Sequence, residues 1–151
     1  YYVKAVLSTL PHLFWIPDVF ICNNWQSALL PSIYNKNFKG INKFYKNIKS
    51  LLIIHDNNIY SNINRSDLIK SEVTIHKSLK GDKLNVYDVA SYEVDKIIIL
   101  DSPSNMISKD LMKLKGIKVN KEKISVINIE NEEKPNFYNI AEEIDKIILK
   151  I

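Results

Sequence analysis

The chain has 151 residues, of which 46% are hydrophobic and 25% are charged, the balance of an ordinary globular domain rather than a disordered chain. No apolar run approaches the roughly 20 residues that cross a bilayer, and no basic start precedes a long apolar stretch, so we predict no membrane partner and no signal peptide. The net charge of +4 comes almost entirely from lysine. Because arginine is the residue best suited to phosphate and guanine contacts and Arg65 is the only one, we predict no nucleic-acid partner.

The single cysteine, Cys22, lies in an apolar run and has no second cysteine with which to form a disulfide. A buried structural thiol in a reducing, cytoplasmic compartment is the simplest interpretation. The three histidines, His12, His55 and His76, are far apart and lack the paired spacing of metal ligands, so we predict no metal site. The chain also lacks a Walker-type loop, a GxGxxG loop and a nucleophile elbow.

The first half of the chain alternates between helical and extended patterns. Apolar spacing predicts a helix over residues 2–10, which Pro11 ends, and the run Val19–Cys22 predicts a strand covered on both faces. Helical spacing returns over residues 25–33, with Asn23 or Asn24 as the N-cap. After a lysine-rich segment broken at Gly40, Ile48–Ile54 predicts a second strand that leads into the polar loop His55–Asn58.

The second half continues this alternation. We predict short helices around Ser66–Lys70 and over Leu84–Tyr92, and a third strand over Ile97–Leu100. Ser102 as N-cap and Pro103 as first helical residue predict a helix that Gly116 ends. A fourth strand is predicted over Ile124–Ile129, and a final helix over Pro135–Ile151 with one apolar face, made of Phe137, Ile140, Ala141, Ile144, Ile147, Ile148 and Ile151.

This order of elements predicts one α/β domain over residues 1–151, with a Rossmann-like parallel sheet and helices on both faces. Ligands of such sheets bind beyond the carboxyl ends of the strands. Three loops follow the strand ends, at residues 23–25, 55–58 and 101–104. A further segment, Lys36–Lys49, carries five lysines without an acid, which is typical of a solvated face but would also suit an anionic partner.

The segment Pro17–Pro31 reads PDVFICNNWQSALLP. It resembles the motif of glycogen and starch synthases (glycosyltransferase family five), in which a strand P-D-V-I-H-x-H-D-W-Q runs into a helix that opens T-x-L-x-P. Ile48–Asn58 resembles the next strand of that family, which ends T-I-H-N, and Val94–Pro103 resembles a later strand that reads I-x-T-V-S-P. The resemblance spans roughly residues 1–110, and it is closest to the short, single-domain glycogen synthase-like proteins of some bacteria.

The resemblance implies half of a GT-B glycosyltransferase, a retaining enzyme that moves glucose from ADP-glucose or UDP-glucose to an α-1,4-glucan acceptor without a cofactor or metal. It implies a fragment that lacks its N-terminal strands and whose last helix is the natural C-terminus. We expect such a piece to be inactive alone, because a second domain holds most of the donor site. The implied substrate-binding residues are Asn23, Asn24, Trp25, Gln26, His55, Asp56 and Asn57.

The departures from the motif bear on catalysis. Ile21 and Asn23 stand at the two histidine positions and Asn24 at the aspartate position, so no residue is assigned as catalytic with certainty. Asn23 can hydrogen-bond a hydroxyl but cannot transfer a proton near neutral pH. Two alternatives therefore stay open: a non-catalytic module that binds glucan or a partner protein, and an unrelated Rossmann-like domain of the response-regulator or nucleotide-binding kind.

Overall fold

The computed structural model describes residues 2–41 and 43–151. Its centre is a parallel sheet of four strands in the order β1-β2-β5-β6, which are Val19–Asn23, Lys49–Ile54, Lys96–Asp101 and Ile124–Asn128. The predicted parallel α/β sheet is confirmed. A second sheet, which the sequence did not indicate, pairs β3 (Asn62–Asn64) with β4 (Lys83–Asn85) in an antiparallel hairpin.

Eight helices were found in the described residues, most of them short. They are α1 Tyr2–Thr9, α2 Asn24–Ser27, α3 Leu30–Asn37, α4 Arg65–Lys70, α5 Val86–Ala90, α6 Ser108–Leu111, α7 Lys115–Val119 and α8 Phe137–Ile148. Four 3-10 turns lie between them, at Leu10–Leu13, Lys43–Tyr45, Ile59–Ser61 and Lys121–Lys123. None of the helices in residues 2–41 and 43–151 is both long and apolar enough to cross a membrane.

Helices cover both faces of the large sheet, as predicted, but unequally. One face carries the main core, in which Cys22, Leu52 and Ile99 pack against the helices that precede and follow the strands. The other face is covered by α8, whose isoleucines pack over Leu51 and Ile98. The apolar face predicted for the last helix is correct at Ile144, Ile147, Ile148 and Ile151, which pack on this side of the sheet, with Ile151 just beyond the end of α8. Ile140 is half-buried, whereas Phe137 and Ala141 are exposed.

The first strand departs from its prediction. β1 forms an edge of the sheet, and its residues alternate between buried and exposed, with Ile21 56% exposed. The expected cover on both faces is therefore wrong for this strand, because the side chain of Ile21 is left exposed on one of them. Cys22, on the opposite face, is fully buried, as predicted, and burial raises the pKa of its thiol to about 12.

Three predicted helices have different bounds. The helix over 25–33 is two helices, since the chain turns at Ala28 and Leu29 between α2 and α3. Leu84 belongs to β4, so the helix predicted from that residue starts at Val86. Neither Asn23 nor Asn24 caps α2 through its side chain: Asn24 is the first residue of the helix, and Asn23 makes no capping hydrogen bond.

The region after β5 differs most. Ser102 and Asn105 exchange backbone hydrogen bonds in a tight turn, so Ser102 is not an N-cap and the helix begins only at Ser108. Gly116 does not end a helix either, since it lies inside α7. Its role is close packing: a Cβ there would lie 2.5 Å from the Asp88 carbonyl oxygen, a distance that only glycine avoids.

Candidate active site

The loops that follow β1 and β2 meet at the carboxyl edge of the sheet. The parallel register pairs Asn23 with Ile53, so that Asn24 and His55 leave their strands side by side. The Asn24 Oδ1 atom accepts a hydrogen bond from the backbone N–H of His55 at 2.9 Å. Its Nδ2 atom lies 2.8 Å from Nε2 and 3.2 Å from Nδ1 of the imidazole ring. One amide thus holds two of the three predicted loops together.

Backbone geometry explains why asparagine suits this position. Asn24 has φ of 49°, in the left-handed region that asparagine and aspartate tolerate better than most residues. Its side chain is buried, with the residue only 6% exposed. Asn24 therefore orients the imidazole of His55, and its amide groups are already used within the protein.

Asn23, unlike Asn24, has an exposed side chain. It lies on the same side of β1 as the exposed Ile21. The Ser27 hydroxyl, rather than the Asn23 side chain, bonds the backbone of this turn. Its Oγ accepts a hydrogen bond from the Asn23 N–H at 2.6 Å and donates one to the Asn23 carbonyl oxygen at 2.8 Å. The Asn23 amide is thereby left at the surface, where it can hydrogen-bond a ligand, and Gln26 is exposed as well.

An aromatic pair borders these polar residues. The rings of Trp25 and Tyr60 stack with centroids 5.9 Å apart and planes inclined by 29°. Trp25 is half-buried against the core, whereas Tyr60 is 64% exposed. Tyr60 is not among the residues predicted from the sequence, although an aromatic residue two positions after a predicted polar loop was a usable signal.

The loop that carries Tyr60 is fixed by its own side chains. Asn58 accepts a hydrogen bond from the Tyr60 N–H at 2.8 Å and donates to the Asp56 carboxylate. Asn57 accepts from the Asn85 amide at 3.0 Å, and the Tyr87 hydroxyl donates to the Asp56 carbonyl oxygen at 2.7 Å. Asp56 and Asn57, both predicted to bind substrate, thus hold the loop in place.

The third predicted loop is not part of this cluster. The buried Asp101 carboxylate accepts hydrogen bonds from the backbone N–H of Ser108, at 2.9 Å, and from its hydroxyl, which starts α6. Ser104 donates to Glu132 at 2.7 Å from its hydroxyl and at 2.8 Å from its N–H. These bonds tie the loop to the segment after β6 rather than to His55.

The chemistry of the cluster favours a hydroxyl-rich ligand. Amides, an imidazole and an aromatic ring are available, and Asp56 supplies the only charged side chain among the predicted residues. Without a lysine or arginine these residues have no fixed cation with which to neutralise a phosphate. In the part of the chain that the structure describes, no group of three or more histidine, cysteine or acidic residues could hold a metal ion.

Comparison with known proteins gives a consistent result. The model of the starch synthase catalytic domain matches residues 1–118. The glycogen synthase of Lachnospira eligens is 35% identical over 102 residues, which are 67% of this chain and 21% of that protein. The glycogen synthase of Moorella thermoacetica is 30% identical over 109 residues, 72% of this chain and 22% of that protein.

Among solved structures, the catalytic domain of starch synthase IV from Arabidopsis thaliana, bound to ADP and acarbose, superposes with a TM-score of 0.65. The superposition covers 85% of this chain and 28% of that chain at 17% sequence identity, a likeness that shows a shared fold. The chain spans about a fifth of the length of the glycogen synthases that it matches.

Proposed function

Because the chain belongs to the starch synthase catalytic domain family of glycosyltransferases, we propose that it forms the later part of the N-terminal domain of a glycogen or starch synthase. In that protein it contributes the glucan-acceptor side of the site, while the second domain holds most of the nucleotide-glucose donor. The proposed reaction moves glucose from ADP-glucose or UDP-glucose to the end of an α-1,4-glucan with retention of configuration.

The observation that carries this proposal is the surface at the ends of β1 and β2. It combines the exposed Asn23 amide, the His55 imidazole held by Asn24, and the Trp25–Tyr60 stack. Amides bond sugar hydroxyls, and the apolar face of a pyranose packs on an aromatic ring. The solved starch synthase IV was bound to acarbose, which supports a sugar ligand for this fold.

Glucan binding can be measured directly by isothermal titration with maltooligosaccharides. Truncation of the exposed ring in Tyr60→Ala removes about 1 kcal/mol of stacking, which weakens binding roughly fivefold. Tyr138→Ala is the matched control, since Tyr138 is also largely exposed, 78% against 64% for Tyr60, but lies on α8. Absence of heat at millimolar ligand, or equal losses in both variants, contradicts the proposed surface.

The chain alone should not transfer glucose. The cluster has no cation that could stabilise the departing nucleotide phosphate, and Asn23 cannot take or give a proton. Incubated with ADP-glucose or UDP-glucose and glycogen, the chain is expected to release no nucleotide. Turnover above a heat-killed control would refute this expectation.

We also propose that strands from outside this chain complete the domain beside β1. Within residues 2–41 and 43–151 no strand pairs with the outer edge of β1, which carries no charged residue. Ile21 remains 56% exposed on a sheet type whose strands are normally buried on both faces. Hydrogen exchange tests this. The β1 amides of the chain alone should exchange faster than those of the same protein extended upstream of Tyr1, and equal rates would refute the proposal.

A second candidate function is a non-catalytic glucan- or partner-binding module, and Asn23 at the motif histidine position favours it. The two candidates differ in the extended protein that includes the second domain. A transferase is active with Asn23 in place, whereas a binding module stays inactive. We further propose a cytoplasmic location, which the buried, unpaired Cys22 supports.

A further inference from the structure

A basic cavity lies away from the candidate active site, beside the β3–β4 hairpin. Its volume is about 340 Å³. Four of its lining residues have basic side chains, Arg65, His76, Lys77 and Lys80, and one, Asp82, has a carboxylate. Arg65 is the only arginine of the chain, so the one side chain best suited to a phosphate lies here.

The guanidinium of Arg65 is held in a fixed position. Its Nε donates to the Gly81 carbonyl oxygen and its Nη2 to the Leu79 carbonyl oxygen, both at 2.8 Å. Gly81 has φ of 100°, the left-handed conformation that turns the loop around the side chain. A guanidinium has five N–H groups, so three remain for a ligand, and the entropy of ordering the arginine has already been lost on folding.

The imidazole of His76 is oriented just as strictly. Its ring stacks on Tyr92 with centroids 4.1 Å apart and planes inclined by 10°. Nδ1 lies 3.3 Å from the Ser78 N–H, which donates to it, and 2.8 Å from the Ser78 hydroxyl, which in turn lies 2.8 Å from the Tyr92 hydroxyl. This pattern assigns Nδ1 as the acceptor, so the proton of the neutral ring is on Nε2, a donor with no partner in the described residues.

The charge balance of the cavity is positive. Lys77 and Lys80 are exposed and form no ion pair within residues 2–41 and 43–151. Asp82 is the only acid that lines the cavity, against Arg65 and the two lysines. Such a set of donors lowers the free energy of a bound dianion but has few acceptors for a neutral sugar.

We propose that this cavity binds the phosphate group of a small phosphorylated metabolite. Arg65 and His76 supply pre-oriented N–H donors, and Lys77 and Lys80 add charge at the rim. The site is independent of the proposed glucan surface, whose residues offer no cation. The proposed glucan surface would therefore bind hydroxyl groups, and the basic cavity would bind a phosphate.

The test is an NMR titration of the full ¹⁵N-labelled chain at constant ionic strength, with inorganic phosphate, glucose 1-phosphate and, for comparison, chloride as probes. Phosphate-bearing probes should shift the amide signals of residues 76–82 with a saturable curve, and chloride should not. Tighter binding of glucose 1-phosphate than of inorganic phosphate would identify a sugar phosphate, and equal binding would identify the phosphate group alone as the ligand.

The double variant Lys77→Gln, Lys80→Gln leaves the folded contacts of Arg65 and His76 intact and should weaken phosphate binding about tenfold. The matched control Lys36→Gln, Lys39→Gln removes two positive charges elsewhere and should leave binding unchanged. Three results would overturn the proposal: no saturable shift with any phosphate probe, shifts that chloride reproduces, or equal weakening in both double variants. None of these outcomes depends on glucan binding.

Discussion

The Asn24 amide offers the sharpest test of how the candidate site is built. Asn24→Ala deletes the acceptor of the His55 N–H, a bond of 2.9 Å, and leaves that N–H without its partner in a partly buried position. Such a loss costs about 1–3 kcal/mol. Alanine must also adopt φ of 49°, which adds about 1 kcal/mol relative to a residue that tolerates this conformation.

The two contributions predict a fall of about 2–4 kcal/mol in the free energy of unfolding, or roughly 5–15 °C in the midpoint of thermal unfolding for a chain of this size. Urea unfolding followed by circular dichroism measures the change. Asn24→Gly separates the two causes, because glycine also lacks the acceptor but adopts the left-handed conformation freely. It should therefore be about 1 kcal/mol more stable than Asn24→Ala.

Asn24→Asp is the conservative control, since a carboxylate keeps the acceptor for the His55 N–H and suits the same backbone conformation. It should unfold close to the original chain. A loss below about 0.5 kcal/mol for Asn24→Ala would refute the claim that this amide joins the two strand ends, because ordinary surface substitutions fall in that range. Equal stability of the alanine and glycine variants would refute the contribution of backbone strain.

Three further predictions concern the scaffold. Gly116→Ala should lower the free energy of unfolding by about 3 kcal/mol, since the new Cβ would lie 2.5–2.6 Å from Asp88, Ser91 and Tyr92. Gly40→Ala is the control, because a Cβ at Gly40 would have no atom within 4 Å. Equal effects of the two substitutions in urea unfolding would contradict the packing argument. The Cys22 thiol should react with a thiol reagent at pH 8 only after urea is added, and fast labelling of the folded chain would show that it is not buried. In the folded chain the pKa of the Cys22 thiol is about 12, above its unfolded value, so the stability that the buried neutral thiol contributes is complete below pH 9 and is lost as the pH rises from 9 to 12. Over that range the urea midpoint should fall more in the original chain than in Cys22→Ala.

The amino-acid sequence by itself determined the sheet and the family. Runs such as Leu51–Ile54 and Ile97–Leu100 are apolar over consecutive residues, and a strand in the interior of a parallel sheet needs that pattern locally. The isoleucines of α8 recur at helical spacing for the same local reason. The motif from Pro17 to Pro31 likewise needed only the order of the residues, and the match over residues 1–118 confirmed it.

Only the tertiary structure decided which polar groups bind and which hold the fold. Asn24 and His55 are 31 positions apart, and their hydrogen bonds exist because β1 and β2 are neighbours in register. The Asp101 carboxylate accepts the hydrogen bond of the Ser108 N–H at the start of α6. Residue 116 is a glycine because a Cβ there would lie 2.5 Å from the Asp88 carbonyl oxygen. The exposed Tyr60 and the clustered charges beside Arg65 likewise follow from contacts between distant segments, since such contacts have no local period that a sequence pattern can reveal.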